Sequence, residues 1–94
     1  MNSLAKSIAE WREKKGFKTS WDNMPEKLML VVTELAEAME AYRYEDKQNF
    51  NEEIADTIIR LLDNTGIIGI DIEDEIQRKM EFNRKRPVKH GKKC

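Results

Sequence analysis

This sequence of 94 residues is poor in several residue types, and each shortage narrows what the protein can be. One cysteine cannot form an intrachain disulfide, so a reducing, cytoplasmic location is expected. With only one histidine and no nearby cysteine partner, His90 is disfavoured as a metal ligand. No apolar run approaches the roughly 18 residues that cross a bilayer, so no membrane association is expected. The first 16 residues lack the apolar core of a secretion signal, so no signal peptide is expected.

What the sequence does contain is typical of a helical domain. Charged residues make up 37% and hydrophobic residues 39%, with four glycines and two prolines, which favours one all-α domain over residues 1–94. A chain this short buries only a modest core, so self-association is expected. Residues 87–94 form a basic tail. Because it lacks interleaved aromatic residues, the tail gives little support for nucleic-acid binding.

Apolar spacing predicts about four helices, and the short connection of about five residues between the second and third predicts an antiparallel bundle. Because the core is small, we expect homo-oligomerisation to complete this bundle. The predicted helices cover about residues 3–15, 23–44, 50–65 and 70–85. On the first helix, Leu4, Ile8 and Trp11 recur at helical spacing. The second helix has a longer apolar stripe, which comprises Leu28, Val31, Val32, Leu35, Met39 and Tyr42.

Two pairs of acidic residues lie inside the second and third predicted helices. The first pair is Glu34 and Glu37, and the second is Glu53 and Asp56. Residues three apart are neighbours on a helix surface, so each pair presents two carboxylates on one face. Antiparallel helices can bring all four together, where their mutual repulsion favours a hard divalent cation. For either pair alone, an ordinary solvated acidic surface is the alternative interpretation.

The order of these motifs resembles the MazG-like all-α nucleoside triphosphate pyrophosphohydrolases. The matching segments are TELAEAMEA at 33–41, EEIADTIIRL at 52–61, and an ending made of Lys79, Asn83, Arg86, Pro87 and His90-Gly91-Lys92. One departure is Thr33, where many relatives have glutamate immediately before the first acidic ligand. The resemblance covers most of the chain, from about Trp11 to Lys93.

The resemblance implies hydrolysis of a nucleoside triphosphate between its α and β phosphates, in nucleotide-pool control. It implies Mg²⁺ as cofactor, with Mn²⁺ as a possible substitute, and homodimers or homotetramers with sites near the subunit interface. The implied metal ligands are Glu34, Glu37, Glu53 and Asp56. Two alternatives remain: an enzyme of the phosphoribosyl-ATP pyrophosphohydrolase type, and a non-catalytic helical dimer that binds nucleotides or regulates another protein.

The acidic residues also provide candidates for the general base. Glu37 and Glu53 are the leading candidates, with Glu52 as a further one, and spacing does not choose among them. Arg60 lies on the acidic side of the third predicted helix. We expect it to neutralise Asp56 or Asp63.

Substrate-binding residues are predicted near the end of the chain and in one loop. Lys79 and Asn83 share a helix face and are predicted to contact phosphate oxygens. Arg86 or Lys92 is predicted to stabilise the departing pyrophosphate. Trp21 is a candidate for stacking on the base. Trp11 is another such candidate, although its place on the apolar stripe favours the core equally.

Overall fold

The computed structural model describes residues 1–16 and 18–86, which form four α-helices and no β-strand. The helices are α1 (Asn2–Lys14), α2 (Met24–Arg43), α3 (Lys47–Ile68) and α4 (Ile72–Lys85). The prediction of an all-α fold with four helices is therefore confirmed. The predicted basic tail at 87–94, including the candidate phosphate ligand Lys92, lies outside the described residues.

Helix α3 is longer than its apolar pattern predicts, and it is the centre of the fold. It begins after Asp46, whose side chain accepts a hydrogen bond from the Asn49 N–H at 3.1 Å and caps the first turn. It runs through Gly66 and ends at Gly69, which adopts a left-handed conformation with φ of 77°. The predicted end of the third helix, at about residue 65, is therefore too early, because residues 66–68 belong to the last turn of α3.

Helices α1 and α2 both pack against α3. A connection of three residues separates α2 from α3, and Glu34 of α2 pairs with Arg60 of α3. Nearer the connection, Glu37 lies beside Glu53, so the two helices run antiparallel. This arrangement places the two acidic motifs of the sequence at the same level of the bundle.

The contact between α1 and α3 depends on small side chains. A Cβ atom added to Gly66 would lie 2.5 Å from the Ala5 carbonyl oxygen and 3.1 Å from the Ala9 Cβ. The buried face of α1 comprises Ala5, Ala9 and Arg12. The predicted stripe of α1 is therefore rotated away from the core, and Leu4 and Trp11 are each more than half exposed. Close helix approach requires alanine and glycine at this contact, so the larger side chains face outward.

The long apolar stripe of α2 also faces outward. Of its six residues only Val31 is buried, and we call the other five the outer apolar stripe: Leu28, Val32, Leu35, Met39 and Tyr42. Their exposed fractions range from 49% to 70%, so residues 1–16 and 18–86 of one copy leave this stripe uncovered. A different side of α2 packs against α3, and this side carries Glu34, Ala38 and Ala41.

Helix α4 contains no buried residue. Its start is held by Asn2, which donates to the Asp71 carboxylate at 2.6 Å and accepts from the Glu73 N–H at 3.0 Å. The Asn2 amide, followed by the Asp74 N–H, holds the pKa of Asp71 below its ordinary value. Within residues 1–16 and 18–86, none of the helices has the length and apolar character needed to cross a membrane.

Candidate metal centre

Three carboxyl groups converge between α2 and α3. One carboxylate oxygen from each of Glu34, Glu37 and Glu53 lies within 4.8 Å of the other two. We call these three residues the acidic group. Glu34 and Glu37 are one helical turn apart on α2, and Glu53 faces them from the first half of α3. The predicted convergence of acidic residues from the two motifs is thus present for three of the four.

Alanine residues around the acidic group explain how charged side chains come to lie between two packed helices. Ala38 and Ala41 are both 3% exposed and lie on the side of α2 that meets α3. Their small side chains let the helices approach, which brings the neighbouring Glu34 and Glu37 to the edge of the contact. Glu34 and Glu53 are half-buried as a result, whereas Glu37 remains exposed and gives the group an opening to solvent.

Glu53 has the most unusual electrostatic environment of the three. Its pKa is raised to about 7, chiefly because burial disfavours the charged form, and then because Glu34 and Glu37 favour the protonated form. Its Oε1 atom is inaccessible to water, and no group within the described residues donates a hydrogen bond to it. A buried acceptor beside two other carboxyl groups lacks a positive charge, which a proton or a cation can supply.

The donor set fits a hard divalent cation. Carboxylate oxygens are the ligands that Mg²⁺, Mn²⁺ and Ca²⁺ take, and helix-borne acids from two chain segments can bind such an ion with water completing its coordination. The Oε1 of Glu53 is a buried acceptor without a hydrogen-bond donor among the described residues, so such an ion would supply a partner for it. The residues present therefore fit the cofactor that the sequence predicts.

Asp56, the predicted fourth ligand, is not part of the acidic group. It is exposed and lies outside the set of oxygens that are within 4.8 Å of one another. It is one turn after Glu53 on α3, so it is on a neighbouring part of the same helix surface. Its role as a metal ligand stays a prediction.

The partner of Arg60 differs from the one that we expected. Its Nε donates to the Glu34 Oε2 at 2.8 Å, so it pairs with neither Asp56 nor Asp63. The reason is that Arg60 faces α2, where Glu34 is the acid within reach. The helical position of Arg60, two turns after Glu53, is the sequence signal that could have indicated this contact.

Asp63 belongs to a separate buried polar cluster that sequence reasoning missed. Its Oδ2 lies 2.9 Å from the Arg12 Nε and accepts a hydrogen bond from the Thr19 hydroxyl, also at 2.9 Å. Asn64, next to it, is buried as well. This cluster ties α1 and the following loop to α3, and its contacts are structural ones within the fold.

The predicted phosphate ligands lie at the end of the last described helix: Lys79 and Asn83 are on α4, and Arg86 directly follows it. In the part of the chain described, no hydrogen bond or ion pair joins any of the three to the acidic group. The Lys79 Nζ lies 5.1 Å from the Phe82 ring centroid, and the Arg86 guanidinium carbon lies 5.5 Å from it. A shallow surface depression is lined by Glu75, Arg78, Lys79 and Phe82.

Trp21, the predicted base-stacking residue, lies in the turn before α2 and is 73% exposed. Trp11, the other stacking candidate, is also exposed, at 54%.

Comparison with known proteins yields no matching family model, no matching curated protein and no matching solved structure. The function of this chain is therefore inferred from its own residues, beginning with the acidic group.

Proposed function

We propose that this chain is a Mg²⁺-dependent nucleoside triphosphate pyrophosphohydrolase of the MazG-like kind, which releases a nucleoside monophosphate and pyrophosphate. The observation that carries the proposal is the acidic group, with three carboxylates from two helices within 4.8 Å. The buried Oε1 of Glu53 lacks a hydrogen-bond donor among the described residues, which favours a cation at this position. The order of motifs in the sequence supports the reaction class.

In this proposal Glu34, Glu37 and Glu53 hold the cation, and Asp56 is the predicted fourth ligand from the same surface of α3. When bound, Mg²⁺ neutralises the polyphosphate and polarises its phosphoryl oxygens. The carboxylates themselves would repel a triphosphate, so their role is to fix the position of the positive charge between α2 and α3. Mn²⁺ suits the same oxygen ligands.

The two leading candidates for the general base, Glu37 and Glu53, both belong to the acidic group, so either carboxylate would lie close to a water held by the cation. One of them would take a proton from the attacking water. Lys79, Asn83 and Arg86 supply donors and positive charge for the phosphate oxygens from α4, with Lys92 doing the same from the tail. The exposed indole of Trp21 offers a stacking surface for the base.

We also propose that two copies associate through the outer apolar stripe. The buried hydrophobic residues of one copy include four alanines, and no large side chain among the described residues is fully buried. The outer apolar stripe forms one continuous ridge, with Leu28, Leu35 and Tyr42 each two turns apart. Exposed apolar surface of this continuity marks an interaction site. A second copy is the occupant that would complete the small core.

The experiment that tests the function is incubation of the protein with Mg²⁺ and a panel of canonical and oxidised nucleoside triphosphates. We expect pyrophosphate rather than orthophosphate as the product. Glu53→Gln should abolish release, whereas Glu52→Gln should retain it. Glu52, the further candidate for the general base, is exposed, lies outside the acidic group and accepts a hydrogen bond from Gln48 at 3.2 Å. The two variants change adjacent glutamates in the same way, so they separate the site from general charge effects.

Other outcomes of this assay would favour the alternative functions or contradict the proposed reaction. Saturable nucleotide binding without any turnover would favour the non-catalytic, nucleotide-binding dimer. Turnover of phosphoribosyl-ATP in preference to every triphosphate would favour the second enzymatic alternative. Release of orthophosphate from a triphosphate would contradict the proposed bond cleavage.

A further inference from the structure

The ion pair between Arg60 and Glu34 joins α3 to α2 at the acidic group. The Arg60 Nε lies 2.8 Å from the Glu34 Oε2, and the two side chains are 27% and 13% exposed. The contact crosses between two helices, unlike the exposed pair Arg43–Glu40, whose atoms are 3.8 Å apart on one helix. Partial burial makes the Arg60 pair stronger than such surface pairs.

Arg60 is also the cation that neutralises part of the acidic group. Among the described residues, no other ion pair reaches Glu34, Glu37 or Glu53. Three carboxyl groups within 4.8 Å repel one another, and the Arg60 charge reduces that repulsion at Glu34. A divalent cation that binds the same three groups removes the same repulsion. A cation bound there would therefore compete with the guanidinium for the Glu34 carboxylate.

The position of Arg60 on α3 explains its reach. It follows Glu53 by seven residues, which is about two turns or roughly 10 Å along the helix. Side chains of a helix point back toward its N-terminus, so the long Arg60 side chain leans in the direction of Glu53. Its guanidinium thus lies at the edge of the acidic group, and only the Nε is engaged with Glu34 in the described contacts.

We propose that Arg60 is an internal counter-cation, which stabilises the acidic group without metal and is displaced from Glu34 when a divalent cation binds. The inference rests on the proposed metal site and adds a residue that sets its affinity. Once released from Glu34, the guanidinium would have all its donors available, and a planar group of this kind suits bidentate contact with phosphate oxygens. Arg60 is accordingly a positioning residue for Glu34 and a determinant of metal affinity.

The test measures Mn²⁺ binding by electron paramagnetic resonance without nucleotide, together with the thermal midpoint of the metal-free protein. Arg60→Met keeps the bulk of the side chain and removes its charge. We expect it to tighten Mn²⁺ binding by about fivefold, as loss of a competing ion pair of this kind implies. We also expect it to lower the metal-free midpoint, because the three carboxyl groups lose their counter-charge.

Matched variants separate competition from other effects. Arg43→Met removes one positive charge from an exposed pair on α2, and it should leave the Mn²⁺ dissociation constant unchanged. Arg60→Lys retains the charge and should bind Mn²⁺ more weakly than Arg60→Met. If Arg60→Met does not fold without metal, Arg60→Gln provides the same comparison with a neutral side chain.

Two results would overturn the inference, and they differ in meaning. Weaker or unchanged Mn²⁺ binding in the neutral Arg60 variants would show that Arg60 only supports the fold around Glu34, while the metal site stands. Absence of Mn²⁺ binding by the unmodified protein would remove the metal site and the role of Arg60 with it.

Discussion

The carboxylate of Asp63 lies 2.9 Å from the Arg12 Nε, and this ion pair joins α3 to α1 in the interior of the fold. The side chains of Arg12 and Asp63 are 10% and 3% exposed. Truncation of one partner leaves the other charge buried without its counter-ion, which in other proteins costs about 3–5 kcal/mol. The pair is therefore a sensitive point for stability, although it lies outside the acidic group.

We expect Asp63→Asn to lower the free energy of unfolding by about 3 kcal/mol, the lower end of that range, because an amide still accepts from Thr19. Urea unfolding followed by circular dichroism measures the change. The double variant Arg12→Met with Asp63→Leu removes both charges and should recover part of the loss. A single Asp63→Asn variant as stable as the original protein would contradict the importance of this pair.

Gly66 and Gly69 allow a contrast between steric and conformational effects. Gly66→Ala places a methyl group 2.5 Å from a backbone oxygen, so we expect destabilisation of about 1–3 kcal/mol despite the higher helix propensity of alanine. Gly69→Ala meets no atom within 4 Å but must adopt φ of 77°, so its loss should be about 1 kcal/mol.

The control for both glycine variants is Asn51→Ala at an exposed position of α3, which should be neutral or slightly stabilising. Thermal midpoints of the three variants give the ranking. Equal or higher stability of Gly66→Ala would mean that α1 can move away from α3 without loss.

Stability should depend on pH through Glu53. Its pKa in the folded protein, about 7, is above its ordinary value of 4.5. A raised pKa means that the favourable contribution is fully present below about pH 4.5 and is lost as the pH rises through about 7. We expect the metal-free thermal midpoint to fall across this interval, and Glu53→Gln to show a smaller fall. Identical pH profiles for the two proteins would refute the shift.

The contribution of Asp56 to metal binding should be smaller than that of Glu53. Asp56 is exposed and lies outside the acidic group, whereas Glu53 supplies the buried, unpartnered oxygen. We expect Asp56→Asn to weaken Mn²⁺ binding less than Glu53→Gln does, as measured by titration without nucleotide. Glu52→Gln is the neutral reference. Equal losses in the two site variants would show that Asp56 moves into the group when the cation binds.

Association of two copies should depend on the outer apolar stripe. Met39→Glu places a charge at the centre of the stripe, and we expect it to yield monomers in sedimentation velocity. Met80→Glu introduces the same change on α4, at a residue that is 57% exposed, and should leave association intact. A monomeric unmodified protein at micromolar concentration would reject the dimer.

Much of the local structure could be predicted because helix formation follows the apolar period and its end signals. The four helices and the acidic pairs belong to this category. The end of the third helix was predicted too early, at about residue 65, because Gly66 usually weakens a helix, whereas its contact with Ala5 requires a residue without Cβ. That requirement comes from another helix, so local pattern cannot reveal it.

The sequence by itself determined where the helices form and that acidic residues recur three apart on two of them. Only the tertiary structure decided which helix surfaces are covered: alanines meet α3, while the outer apolar stripe stays exposed. It also decided that Glu34 pairs with Arg60 and that Asp56 stays outside the acidic group. The physical reason is that periodicity fixes positions around one helix axis, whereas partners depend on how closely two axes approach.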